Sequence, residues 1–153
     1  MLQYDFEESV GYWIFSTAHA LSHTLNEQLT EHGITCRQWE VLVFLAWAGA
    51  MSQSELAQQL RIEAPTLVGV LDRMERDGWI RRESDPKDGR RKIIFPTQQV
   101  EPVWAKMVDC AHKVRGRATA GLSDETLSTV REALAHMRQN LATDAPPRGD
   151  SRG

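Results

Sequence analysis

The spacing of apolar residues predicts a mainly helical chain that is interrupted once by a β-hairpin. From Phe6 to about Thr30, apolar side chains recur every three or four positions, which is the period of an amphipathic helix. Gly33 is expected to end this helix, since glycine adopts the left-handed backbone common after a helix. The same period returns in five later stretches: 35 to about 48, 52–60, 65–77, 97–120 and 123–141.

Two of these helices begin with a recognisable capping pattern. In Thr35–Gln38 and in Ser52–Glu55, a hydroxyl residue is followed three positions later by a side chain that can bond back to free backbone N–H groups. Pro65 fits the first turn of the next helix, where its missing N–H costs nothing. Gly78 is expected to stop that helix.

The period changes between Trp79 and Pro96. Trp79–Ser84 and Arg91–Pro96 are short strand-like runs, and the residues between them are of types that favour turns. This region predicts a β-hairpin with a charged tip.

These elements suggest four segments along the chain. They are an N-terminal helix (1–34), a compact unit of three helices and the hairpin (35–97), two C-terminal helices (98–143) and a tail (144–153) that we expect to be disordered. The outer helices have apolar stripes but little of their own to pack on. Their natural partner is a second copy of the chain, so we expect a homodimer.

Composition excludes several classes of protein. The 153 residues are 41% hydrophobic and 25% charged, which supplies enough apolar side chains for a core. The longest uncharged apolar stretch is about half of what a membrane span needs, and the acidic N-terminus is unlike an export signal. Two distant cysteines, Cys36 and Cys110, form neither a disulfide framework nor a CxxC site, so we expect a cytoplasmic protein.

The net charge of −3 argues, taken alone, against a nucleic-acid-binding protein. The charge is unevenly distributed, however. Residues 1–60 contain seven acidic residues and one basic residue, whereas residues 61–92 contain nine basic and seven acidic ones. The segment that contains the hairpin is therefore the most basic part of the chain.

A short helix, a tight turn, a second helix and a hairpin form a winged helix-turn-helix, whose second helix can enter the DNA major groove. We call that second helix the recognition helix and the hairpin the wing. The predicted fold class is mainly α with this small wing, flanked by N- and C-terminal dimerisation helices. With its apolar stripe turned inward, the recognition helix turns outward Pro65, Gly69, Asp72, Arg73 and Arg76, flanked by Thr66 and Val68.

This outward face has a functional and an ordinary interpretation. The two arginines can reach phosphates or guanine edges, and Thr66 can reach a base. Ala64 offers no side-chain acceptor at the helix start, so a phosphate could cap it. The alternative is that the face is simply solvated.

The wing favours the functional interpretation. Asp88 stands two residues before Arg90, where a salt bridge can hold that arginine extended, and a guanidinium on a slim hairpin suits the minor groove. A charged hairpin also commonly protects a sheet edge, but after a helix-turn-helix we favour DNA contact. Six of the residues 81–92 are cations: Arg81, Arg82, Lys87, Arg90, Arg91 and Lys92.

The run IEAPTLVGVLDRMERDGWIRRESDPKDGRRKIIFPT, with GITCRQWEVL ahead of it, resembles the MarR family of winged-helix regulators. Asp85–Arg90 follows that family's D-x-[RK]-D-x-R pattern, and VEPVWAKMVDCAHKVRGRATAGLSDE resembles the SlyA branch. The resemblance covers about residues 8–142. It implies an obligate homodimer that reads a pseudo-palindromic operator, with Arg90 in the minor groove, Asp88 orienting it, and Ser52, Gln53 and Ser54 near phosphates. We expect a repressor, although the sequence leaves the sign of regulation open. Lys87 and Arg91 complete the predicted DNA-binding residues.

One position departs from the branch. SlyA-like proteins carry an arginine where this chain has Gly69. A base or phosphate contact at the centre of the recognition helix is therefore expected to be missing, so that specificity rests more on Thr66, Arg73 and DNA shape.

The resemblance also implies release by a small phenolic or aromatic carboxylate, bound between the dimer helices and the winged unit. Such a ligand would lie among aromatic and cationic side chains, although an aromatic stripe is more often core. The candidate pocket residues are Trp13, His19, His23, Arg37, Trp39 and Trp104.

The sequence also bears on four other functions. His19 and His23 have the spacing of a metal pair, but no third ligand is required by the sequence, and we predict no metal and no cofactor. Cys36 lies in the first turn of a helix, where the dipole lowers a thiol pKa, so a redox switch is an alternative. No catalytic motif is present, so we expect no enzyme. A winged helix that binds an acidic protein is the remaining rival.

Overall fold

The computed structural model describes residues 4–143. Within this range the chain forms α1 (Val10–Thr30), α2 (Cys36–Ala48), β1 (Met51–Ser52), α3 (Gln53–Leu60), α4 (Ala64–Arg76), β2 (Ile80–Ser84), β3 (Lys92–Pro96), α5 (Glu101–Ala118) and α6 (Asp124–Thr143). A short 3-10 helix precedes α5. The predicted order of helices around a β-hairpin and the mainly helical class are confirmed, while the predicted tail lies outside the described residues.

Caps fix most of the helix starts where the sequence predicts them. Both capping boxes are formed, with Thr35 and Gln38 at α2 and with Ser52 and Glu55 at α3. The predicted start of α1 at Phe6 is wrong. The helix begins at Val10, because the Ser9 hydroxyl accepts the backbone N–H of Tyr12 at 3.3 Å and so caps the chain there.

The wing belongs to a three-stranded antiparallel sheet with the order β1-β3-β2. β2 and β3 are the predicted hairpin strands, in register from Ile80 opposite Pro96 to Ser84 opposite Lys92. β1 was not predicted. Its two residues pair with Ile93 and Ile94 of β3, and so short a strand has no alternation of its own to reveal it.

One core joins the winged unit to the helices on either side of it. Leu67, Val70, Leu71 and Met74 form the buried stripe of α4, as predicted. Leu29 at the end of α1 and Met107 in α5 are also fully buried in this core. The winged unit therefore shares its core with residues of α1 and α5.

Contacts within the chain form two compact units, one up to residue 115 and one from residue 116 onward. In the first unit, α1 leaves large apolar side chains exposed, including Trp13 at 57% and Phe15 at 79% of their surface. In the second unit, α6 leaves Val130, Leu134 and Leu141 exposed. No helix between residues 4 and 143 has the length and apolar character that crossing a membrane requires.

The reversal at Gly78 joins α4 to the sheet. Gly78 has a φ of 83°, in the left-handed region that glycine adopts at low cost. The N–H of Trp79 donates to the carbonyl of Met74 at 2.8 Å and closes α4. Thr97, just after β3, donates its hydroxyl to the Gly78 carbonyl and its N–H to the Trp79 carbonyl. Both ends of the wing are therefore attached to one turn.

We predict that Gly78→Ala lowers the free energy of unfolding by about 1–2 kcal/mol, because an L-residue is strained at positive φ. The added Cβ would also lie 2.5 Å from Oε1 of Gln99, but that flexible side chain can move, so the backbone strain dominates. Urea unfolding measures the change.

Gly116→Ala in α5 is the matched control. Nothing lies within 4 Å of its Cβ position, and alanine favours a helix over glycine by about 0.5–1 kcal/mol. The same substitution should therefore stabilise the protein there. Destabilisation of similar size at both positions would contradict the role given to the Gly78 turn.

Candidate nucleic-acid interface

The outward face of the recognition helix, α4, is exposed as the sequence predicts. Pro65, Thr66, Arg73 and Arg76 are exposed, and Gly69 is half-buried. The helix begins with no side-chain hydrogen bond from Glu63, the residue at its N-cap position. Backbone N–H groups of the first turn are therefore available to an acceptor from outside, such as a phosphate.

The two predicted arginines of α4 differ in how they are paired. Nε of Arg76 donates to Oδ1 of Asp77 at 2.9 Å. Arg73 has no ion pair with any residue of the described chain. Both side chains are at the surface, but only Arg73 presents a charge that the fold has not already matched.

Three of the wing cations are held by acidic partners. Arg81 contacts Glu83 at 2.7 Å and lies over the ring of Phe95, with 4.6 Å from its guanidinium carbon to the ring centroid. Arg82 and Arg91 are paired with acids on other elements, as described below. The Nζ of Lys92 lies 2.8 Å from the Ser84 hydroxyl.

Arg82 connects β2 to the recognition helix. Its side chain is only 19% exposed, forms an ion pair with Asp72, and lies 3.6 Å from a carboxylate oxygen of Glu75. Glu75 also accepts the backbone N–H of Arg82 at 3.1 Å. This link was not predicted, although two acids three positions apart on α4 and an arginine soon after the Gly78 turn are its sequence signal.

The wing tip presents Lys87 and Arg90, which are exposed and have no ion pair within the described residues. Asp85 accepts the backbone N–H of Lys87 at 2.8 Å, and Asp88 accepts the backbone N–H of Arg90 at 3.1 Å. The predicted salt bridge between Asp88 and the Arg90 side chain is not formed in this structure, in which the Asp88 carboxylate accepts a backbone N–H of the turn. Asp88 thus supports Arg90 through the backbone.

The Arg91 side chain points toward α3 and contacts residues of the chain itself. Its Nη2 lies 2.7 Å from Oε1 of Glu55 and 3.2 Å from the Ser52 hydroxyl, and its Nη1 lies 3.8 Å from Asp85. These four side chains, Ser52, Glu55, Asp85 and Arg91, form a network that attaches the wing to the start of α3. In this structure the Arg91 charge is therefore paired within the chain, and its predicted contact with DNA stays a prediction.

The three residues at the start of α3 that are predicted to lie near phosphates differ in how exposed they are. Ser52 is 1% exposed and its hydroxyl caps α3, so its side chain is engaged within the chain, and its predicted place near phosphates stays untested. Gln53 is half-buried and Ser54 is exposed. These two remain predictions for phosphate contact.

The network lowers the pKa of Glu55 to about 2. The largest cause is the backbone N–H of Ser52, which donates to the carboxylate at 2.8 Å, followed by the Ser52 hydroxyl and the Arg91 guanidinium. Each of these donors favours the ionised form. Glu55 is therefore charged throughout the ordinary pH range.

The residues predicted for a ligand pocket lie in three separate places. His19, His23 and Arg37 line one groove of about 330 Å³ where α1 passes α2, together with Cys36 and Glu40. Trp13 lies elsewhere on α1 and donates its Nε1–H to the Glu7 carbonyl. Trp39 is buried against Trp104, with 5.0 Å between ring centroids.

Cys36 does not have the lowered pKa expected from its position in the first turn of α2. Burial raises the pKa of its thiol above the ordinary value, and Glu40 raises it further, while Arg37 offsets part of the shift. The thiolate that a redox switch needs is thus disfavoured. Among residues 4–143, no group of three or more histidine, cysteine, aspartate or glutamate side chains has a geometry that could hold a metal ion.

Comparison with known proteins identifies relatives of this chain. Residues 34–92 match the sequence model of the MarR family. The uncharacterized HTH-type transcriptional regulator YwoH of Bacillus subtilis (strain 168) is 31% identical over 124 residues, which is 81% of this chain and 87% of that protein.

Two solved structures share the fold. The transcriptional regulator SlyA has a TM-score of 0.81 and 25% identity, over 89% of this chain and 96% of that one. A mutant of MarR from E. coli, complexed with operator DNA, has a TM-score of 0.80 over 88% of this chain and 99% of that one. Its identity of 23% makes it evidence for the fold alone.

The Glu55 network predicts a loss of stability in acid. The folded pKa of Glu55 lies below its ordinary value of 4.5, so its contribution is present above about pH 4.5 and is lost as the pH falls toward 2. Glu55→Gln keeps an acceptor for the cap but removes the charge. Since the side chain is half exposed, we expect a cost of only about 1 kcal/mol at pH 7.

Urea unfolding of both proteins at pH 7 and pH 3 tests this prediction. The difference in free energy of unfolding between wild type and Glu55→Gln should shrink at pH 3. A difference that is independent of pH would show that the carboxylate charge is not the stabilising element.

Proposed function

Because this chain belongs to the MarR family of transcriptional regulators, we propose that it binds double-stranded operator DNA, with α4 in the major groove and the wing tip in an adjacent minor groove. The observation that carries the proposal is the position of the unmatched cations. Arg73 on α4 and Lys87 and Arg90 on the wing tip are exposed and have no ion pair within the described chain. A winged helix-turn-helix docks on DNA with these same two elements.

The fold supports this function. MarR from E. coli, whose fold this chain shares, has been crystallised with operator DNA. Four cations of the recognition helix and the wing, Arg76, Arg81, Arg82 and Arg91, are already paired with acids, so phosphate attraction alone should supply modest affinity. Discrimination then depends on base contacts and on the shape of the operator.

We further propose that the protein is a homodimer that recognises a pseudo-palindromic site. The exposed apolar side chains of α1, among them Trp13 and Phe15, and those of α6, such as Leu134, are unfavourable in water and fit burial against a second copy. Two recognition helices related by a two-fold axis would read two inverted half-sites. Membership of the SlyA-like branch is part of the same proposal, supported by the 25% identity to SlyA.

The regulatory part of the proposal is repression that a small aromatic carboxylate relieves. The groove between α1 and α2 places His19, His23 and Arg37 together, which gives a carboxylate one cation and two ring donors. Nη1 of Arg37 lies 2.6 Å from Glu40, a carboxyl whose pKa is raised by burial. A bound carboxylate can therefore take over the position of Glu40 beside Arg37.

Selection of DNA from a random double-stranded library tests the DNA-binding proposal. Full-length protein should enrich an inverted repeat with half-site centres about one helical turn apart, and binding should weaken steeply with salt. An enriched single half-site would contradict the dimer. No enrichment at all would favour the rival function, a winged helix that binds an acidic protein.

Arg90→Ala should weaken binding to the selected DNA by about tenfold, because it removes the guanidinium proposed to enter the minor groove. Arg131→Ala, which removes an exposed arginine from α6, is the matched control and should change the affinity by less than about twofold. Fluorescence anisotropy measures both affinities. Equal affinities for the two variants would end the assignment of the wing tip to DNA.

Hydroxybenzoates at millimolar concentration should release the selected DNA from wild-type protein. Arg37→Gln should bind the same DNA but resist release, since the carboxylate loses its cation. Release that is unchanged in Arg37→Gln would exclude the groove between α1 and α2 as the ligand site.

A further inference from the structure

Gly69 lies in the middle of the recognition helix without a backbone reason to be glycine. Its φ is not positive, unlike those of Gly33, Gly49, Gly78 and Gly121. A glycine inside a helix is less stable than alanine because it loses more conformational freedom on folding. The gain that offsets this loss must therefore come from what surrounds the residue.

The space beside Gly69 is occupied by a single neighbouring group. A Cβ atom on Gly69 would lie 3.8 Å from Nη1 of Arg73, and no other atom approaches within 4 Å outside the helix backbone and the adjacent residues. Arg73 follows Gly69 by one helical turn, and side chains in a helix lean toward its N-terminus. The Arg73 guanidinium therefore lies back along α4, over the glycine.

Arg73 also differs from Arg76 and Arg82 in whether an acidic side chain pairs with it. Arg76 is matched by Asp77, and Arg82 by Asp72 and Glu75. Within the described residues Arg73 has no ion pair. Its guanidinium is thus positioned by the helix surface and keeps its donors for another molecule.

We propose that Gly69 determines base specificity by leaving a recess in which the Arg73 guanidinium lies along α4 and donates two hydrogen bonds to a guanine in the major groove. The inference rests on the proposed DNA-binding function. Guanine presents O6 and N7 side by side, which matches two N–H groups of one guanidinium. A larger side chain at position 69 would occupy the recess and lift Arg73 away from that base.

Substitution of Gly69 by alanine and by leucine distinguishes the effect of filling the recess from the effect of a more stable helix. Gly69→Ala adds one carbon at an ordinary contact distance of 3.8 Å from Arg73, so the guanidinium can stay in place. Gly69→Leu fills the recess. Both substitutions favour the helix over glycine, so neither should fail to fold, and thermal unfolding should show melting temperatures at or above that of wild type.

The test selects random double-stranded DNA with full-length wild type, Gly69→Ala, Gly69→Leu, Arg73→Ala and the double variant Gly69→Leu/Arg73→Ala. Wild type and Gly69→Ala should prefer guanine at one symmetric pair of positions. Arg73→Ala should lose about tenfold of that preference and leave the other positions unchanged. Gly69→Leu should lose the same preference, and the double variant should be no worse than either single one.

Two results would overturn the inference while leaving DNA binding intact. One is a Gly69→Leu protein that keeps the guanine preference. The other is an Arg73→Ala protein that binds all sequences more weakly by the same factor with a shallower salt dependence, which is the behaviour of a phosphate contact. Failure of wild type to enrich any DNA would instead overturn the proposed function and this inference together.

Discussion

The reversal at Gly78 is the constraint on which the interface depends. The recognition helix ends there and the wing begins two residues later, so one left-handed residue fixes the direction in which β2 leaves α4. Thr97 returns the far end of the wing to the same turn through two hydrogen bonds. The recognition helix and the wing, which we propose contact neighbouring grooves of one DNA duplex, are therefore positioned by one short junction in the chain.

Ion pairs decide which of the many basic side chains remain available. Arg82 ties the wing to α4, and Arg91 ties it to α3, so their charges are used in holding the wing in place. Arg73, Lys87 and Arg90 are left at the surface without such partners in the described chain. Clustering of cations in a sequence therefore overstates the charge of the interface, because acids brought in by other elements neutralise part of it.

Local signals in the sequence were sufficient for most of the fold. Helical periods, two capping boxes and the helix-stopping glycines placed the helices and the hairpin to within a few residues. Features that depend on residues distant in sequence were not predictable: β1, the pairing of Arg91 with Glu55, and the burial of Ser52 each require β3 to lie beside the start of α3. The pKa of Cys36 was misjudged for the same reason, since its burial is a property of packing.

The unpredicted strand β1 also bears on the behaviour of the protein at high concentration. β3 carries the most apolar run of the wing, Ile93 to Phe95, and an exposed strand of this kind would invite pairing with another chain. β2 covers β3 along its whole length on one side, and β1 covers Ile93 and Ile94 on the other. The two outer strands are poor templates for intermolecular pairing, because β2 is charged and β1 is only two residues long. The apolar run of β3 is therefore shielded from pairing with another chain at Ile93 and Ile94.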